Sequence, residues 1–115
     1  VHTLAATEVG MGKPTGWALP EQRGTFFQVE TESEHCQTAR MTLAPGADGG
    51  EEKEGHPGDQ VRFVAEGEVM IMTAHEELRA KAGTVVVIPP RTSHRVRNVG
   101  AVPALLLNVY TPPAY

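Results

Sequence analysis

Of the five histidines in this chain, His56 and His94 stand among residues that could do chemistry. Glu54 and His56 are two residues apart, His56 and Gln60 four apart, and Arg62 lies two beyond Gln60. Downstream, Gly83, Pro89, His94 and Asn98 follow at intervals of six, five and four. On an extended chain, side chains two apart share a face. Glu54 with His56, Gln60 with Arg62 and Val64, and His94 with Val96 and Asn98 are therefore expected to form inward-facing sets. Metal binding needs donors that converge from different segments onto one point, and two neighbouring strands with inward donors can supply them. A buried arginine needs a partner or a ligand. Arg62 is expected to bind the carboxylate of a substrate or a similar anion; the competing expectation is an ion pair to Glu54 or another wall carboxylate.

Such side chains have to be held by strands. The chain has 12 glycines and 9 prolines, spread throughout. Between them lie short runs rich in Val, Phe, Thr, Leu and Met. Strands are expected near Thr25–Thr31, Gln37–Leu43, Gln60–Ala65, Glu68–Thr73, Thr84–Ile88, Arg95–Asn98 and Ala104–Tyr110. Short strands with turn signals at this spacing imply an all-β sandwich or barrel. No long segment has the helical period, and Glu76–Ala82 reads as a hairpin turn running into a strand. Pro45–Gly58, with five glycines and four acidic residues, reads as a long loop of the kind that carries function. Residues 1–24 are expected to form an arm that adds a strand to a partner, with the barrel body at 25–113 and the whole of 1–115 as one domain.

The bulk properties narrow the classes. The length of 115 residues suits one domain. A formal charge of −4, without a dense Lys/Arg run, argues against nucleic-acid binding. The apolar runs Thr84–Ile88 and Ala104–Leu107 are far short of the roughly 20 residues a membrane helix takes. No basic start and apolar centre of a signal peptide is seen, and Cys36 is the single cysteine, so the cytoplasm is the expected compartment. His2, His35 and His75 are expected at the surface. Cys36, Met70, Met72, Phe26, Phe27, Phe63 and Trp17 are expected in the core or an interface, Asn98 at a strand end as a structural residue, and Arg95 and Arg97 on the outer face.

The two spaced groups also resemble a known family. Glu54-Gly-His56-Pro-Gly-Asp-Gln60, running on to Gly67, resembles the first cupin motif, H-x-H-x3-E-x6-G. Gly83 to Pro89, then His94 and Asn98, resembles the second, G-x5-P-x-G-x2-H-x3-N. Fifteen residues separate Gly67 from Gly83, similar to the spacing in small microbial cupins. The resemblance covers roughly residues 37–113. It implies a double-stranded β-helix barrel, a homodimer, and one divalent metal ion held by Glu54, His56, Gln60 and His94. Three positions depart from the pattern: Glu54 for the first histidine, Gln60 for the glutamate, and Arg91 for a glycine. The glutamine is similar to that of cupins that open unsaturated uronate sugars, although Glu54 departs from those too.

Two imidazoles, a carboxylate and an amide oxygen suit Fe, Mn, Ni, Co or Zn. Four such donors leave positions for water or substrate, which permits Lewis-acid chemistry. The leading expectation is a metal-dependent isomerase, lyase or cyclase acting on a small polar or anionic molecule, with Glu54 alternating between ligand and base and Arg62 holding the substrate. A non-haem Fe(II) dioxygenase and a non-catalytic small-molecule-binding barrel are the alternatives.

Overall fold

A computed structural model describes residues 12–19 and 26–115 of the chain. Most of the expected N-terminal arm therefore lies outside the described residues. Among those described, the regular elements are nine strands: β1 Phe27–Glu32, β2 Gln37–Leu43, β3 Asp48–Glu52, β4 Asp59–Glu66, β5 Glu68–Thr73, β6 Glu77–Lys81, β7 Val85–Ile88, β8 His94–Asn98 and β9 Ala104–Thr111. They form two antiparallel sheets, ordered β1-β2-β9-β4-β7 and β3-β8-β5-β6. This is the double-stranded β-helix: consecutive segments pass between the two sheets, and each strand offers alternate residues to the space between them. Every strand expected from the sequence is present, and the Glu76–Ala82 hairpin becomes β6. No helix among the described residues is long and apolar enough to cross a membrane.

The alternation decides what is buried. On β4, Gln60, Arg62 and Val64 are buried, and on β8, His94, Val96 and Asn98 are buried, while Arg95 and Arg97 between them are exposed. The inward apolar residues Met41, Leu43, Val64, Val69, Ile71, Val86, Ile88, Val96 and Leu106 make one core. Of the residues expected in a core or interface, Phe27 packs against this cluster, whereas Phe26 is exposed and Met70 and Met72 are only partly buried. The β5 residues Val69 and Ile71 face inward, which turns the two methionines outward.

Asn98 ties the strands together, as expected of a structural residue. Its Nδ2 donates to the carbonyls of Leu43 (2.9 Å) and Val102 (2.8 Å), and its Oδ1 accepts from Gly100 N at 2.8 Å. At the β4–β5 turn, Gly67 has φ +85°, and a Cβ there would come within 2.8 Å of Ala104 Cα. Both the backbone angle and the close approach of β9 call for glycine.

Candidate metal and ligand site

One end of the barrel gathers the titratable and aromatic residues. A small cavity there is lined by Glu52, His56, Arg62, His94, Tyr110 and Tyr115, together with Met41, Gly49, Gly50 and Val96. It leaves about 20 Å³ for the centre of a water-sized sphere, room for about one water or ion. The imidazoles of His56 and His94 are 5.4 Å apart between ring centres.

His94 starts β8, and its Nδ1 lies 2.8 Å from the Thr92 carbonyl. That carbonyl can only accept, so Nδ1 carries the proton and Nε2 keeps its lone pair. His56 is 9% exposed and packs edge-on against Tyr110 and Tyr115, with ring centres 5.1 and 5.5 Å away. Its Nε2 is buried without a hydrogen-bond partner. The turn before β8 locks onto this loop, because Arg91 N donates to the His56 carbonyl at 2.7 Å. Arg91 has φ +56°, the left-handed region where a glycine, as in the motif this turn resembles, would sit without strain.

The acidic residue on the cavity wall is Glu52, not Glu54. Glu54 is exposed and is not among the residues lining the cavity. The two-residue parity from Glu54 to His56 required an extended chain, and the chain bends here: Gly55 has φ +69° and its N–H donates to the Glu52 carbonyl. Glu52 instead ends β3 directly opposite His94 in the ladder, so the two side chains share a face. The segment expected to be a loop thus contains β3, which sequence reading missed because Asp48-Gly-Gly-Glu-Glu has little strand propensity. Only pairing with β8 makes it a strand.

Gln60 and Arg62 are both nearly fully buried on β4. Gln60 Nε2 donates to Asn108 Oδ1 at 3.3 Å, and Gln60 Oε1 has no partner. Gln60 is not among the residues that line the cavity. Arg62 lines it, donating from Nε to Asn108 Oδ1 at 2.8 Å, with NH1 lacking a partner. The competing expectation for Arg62, an ion pair to Glu54 or another wall carboxylate, is not met among the described residues.

Two tyrosines complete the wall. The Tyr115 hydroxyl donates to Glu52 Oε1 at 3.0 Å, and its backbone is held by buried Gln37, which donates to Tyr115 O at 2.7 Å and accepts from Tyr115 N at 3.0 Å. Sequence reading gave Tyr110 little part in the site and Tyr115 none. Their only signal was their place in and after the last strand.

Burial sets the protonation states. It pushes both histidines below the ordinary imidazole range, with Arg62 adding to the effect and Glu52 opposing it; at His94 the Thr92 carbonyl opposes it as well. Both rings are therefore neutral at pH 7, the form that donates a lone pair. Burial pushes Tyr110 up to about 12, partly offset by Arg62 and by its hydrogen bond to Tyr115. Tyr115 is raised by burial, by Tyr110 and by Glu52. Among the described residues, no three His, Cys, Asp or Glu side chains are grouped so that they could hold a metal ion.

Two histidines at one mouth of a double-stranded β-helix, at the ends of two motif segments, match one family. The Cupin domain model covers residues 39–110, well over half of the chain. The protein belongs to the cupin family. A Bacillus halodurans protein of known structure is 28% identical, with a TM-score of 0.76 over 83% of this cupin and 76% of that chain. A structure described as a predicted oxalate decarboxylase, from Thermotoga maritima, is 26% identical, with a TM-score of 0.61 over 67% of this cupin and 66% of that chain. An uncharacterised protein of Methanocaldococcus jannaschii is 31% identical over 55 residues, which are 48% of this cupin. This cupin spans only 44% of the length of that relative.

Proposed function

We propose that this cupin holds one divalent metal ion on His56 and His94 and is a metal-dependent enzyme acting on a small polar or anionic molecule. The supporting observation is the pair of neutral imidazoles at one cavity, one anchored through Nδ1 to Thr92 and the other with a buried, unpartnered Nε2. Further donors are within the same end of the barrel. Glu52 faces His94 across the ladder, in the role the sequence assigned to Glu54, and the Gln60 amide oxygen is buried and unpartnered. Imidazole, carboxylate and amide oxygen suit Fe, Mn, Ni, Co or Zn. When bound, the ion supplies Lewis acidity toward a carbonyl or hydroxyl, the chemistry of isomerases, lyases and cyclases.

The protein's own groups have distinct parts in this reading. Thr92 fixes the tautomer and direction of the His94 ring. Glu52, whose Oε1 accepts a hydrogen bond from the Tyr115 hydroxyl, is the group able to take and return a proton beside the bound molecule. The Tyr110 hydroxyl stays protonated at neutral pH and can only donate or accept a hydrogen bond. The ring of Tyr115 packs edge-on against His56. The likeness to a predicted oxalate decarboxylase favours a small anionic substrate. A cytoplasmic homodimer belongs to the same reading, and sedimentation of the purified chain tests its size.

Elemental analysis of protein purified without a metal-chelating tag tests the site. The wild type is expected to carry one ion per chain, and the His56→Ala, His94→Ala double variant none. Wild-type protein that takes up no ion, even after incubation with each candidate, would remove the catalytic reading.

A further inference from the structure

We propose that the cavity binds the carboxylate of a small organic acid, with Arg62 as its charge partner. Arg62 is 2% exposed and faces the cavity from β4. Its Nε donates to Asn108 Oδ1 at 2.8 Å, a neutral oxygen that also accepts from Gln60 Nε2 at 3.3 Å. NH1 has no partner, and among the described residues no carboxylate lies within ion-pair distance of this guanidinium. A charge held out of water with one neutral amide as its hydrogen-bond partner is a costly arrangement; Glu52 attracts it from across the cavity without forming an ion pair, and a bound anion completes it.

Glu52, the carboxylate of the cavity wall, is engaged at Oε1 by the Tyr115 hydroxyl. The other polar walls are imidazoles and phenols, which can hydrogen-bond to an acid without competing for the guanidinium. A guanidinium presents a planar fork of donors, and a carboxylate is the planar acceptor that fits it. The free space of about 20 Å³ holds about one water, so even the smallest acids enter only when Tyr115, itself 53% exposed, swings away from Glu52 and enlarges it. The inference deepens the metal-site reading and rests on the same cavity, but Arg62 carries it and not the ion.

The test is titration with acetate, and with acetamide as its neutral counterpart, followed by the thermal midpoint and by calorimetry. It is run on chelator-treated protein and repeated after metal loading. Acetate, and not acetamide, is expected to raise the midpoint of the wild type. Asn108→Asp places a carboxylate beside Arg62 Nε with almost no change of shape. It is expected to raise the midpoint unaided and to weaken acetate binding by about tenfold or more, since the guanidinium charge is then already neutralised from within the protein. Arg62→Met is expected to abolish acetate binding, and Asn108→Asp decides if that variant does not fold. Equal responses to acetate and acetamide, or undiminished acetate binding in Asn108→Asp, would overturn the inference. An acetate response that needs His56 and His94 but ignores Arg62 also overturns it, and leaves the metal reading standing. A protein that takes no metal yet binds acetate through Arg62 removes the metal reading and keeps this one.

Discussion

Arg91 offers a clean test of how the turn before β8 is built. It is the only non-glycine residue among those described with a positive φ, at +56°. A side chain in the left-handed region costs roughly 1–2 kcal/mol, because Cβ crowds the following carbonyl. Glycine relieves that cost, but it also loosens the unfolded chain, which takes back about 0.4–1 kcal/mol. Arg91→Gly is therefore expected to stabilise the protein by about 0.5–1 kcal/mol, a rise in Tm of roughly 4 °C for a domain of this size. Arg91→Ala is the control. It removes the same exposed side chain but keeps Cβ, so its midpoint should stay near that of the wild type. Neither variant removes the amide that donates to the His56 carbonyl at 2.7 Å, so neither should loosen the histidine pair. Thermal and urea unfolding of the three proteins, metal-free, make the comparison. Equal gains in the Gly and Ala variants would show that the side chain, and not the backbone angle, was the burden. No gain in the Gly variant would refute the strain argument.

Three further outcomes follow from the same geometry. Gly55→Ala would put a Cβ within 2.4 Å of Thr92 N at φ +69°, against backbone that cannot give way; a loss of about 3 kcal/mol is expected from urea unfolding, with metal uptake reduced because the 91–94 turn moves away from His56. Asn98→Ala removes three hydrogen bonds and leaves the buried Leu43 carbonyl short of its side-chain donor, so urea midpoints should report a loss of roughly 2–4 kcal/mol. For His56 and His94, burial lowers the folded pKa below the unfolded value, so the unfolded chain binds protons first. Stability of the metal-free protein is then complete above about pH 6.5 and declines as pH falls from there. Urea midpoints that stay level from pH 7.5 down to 5, or that match those of the His56→Ala, His94→Ala variant across the range, would contradict this.

Much of the barrel could be read directly from residue pattern. Glycine and proline punctuation marked the strands, and period-two alternation put Gln60, Arg62 and Val64 on one buried face and His94, Val96 and Asn98 on another. Those sets need only an extended chain, and within β4 and β8 the chain is extended. His56 and His94 could therefore be paired from their motif positions before any contact was known. What the sequence could not carry was the acidic partner. Between β3 and β4 the chain leaves the extended form, Gly55 turns with positive φ, and the parity that pointed to Glu54 no longer applies. Which carboxylate faces the histidines was decided by ladder register, Glu52 against His94, and that register exists only once a glycine-rich segment has been captured by β8. Tyr115 reaches the cavity for a similar reason. Its place depends on Gln37, 78 residues earlier in the chain, holding its backbone with both ends of one buried amide. Local pattern thus determined which side chains face inward, because that depends on neighbours two residues away. The composition of the site was left to contacts between segments far apart in sequence, which only the folded barrel brings together.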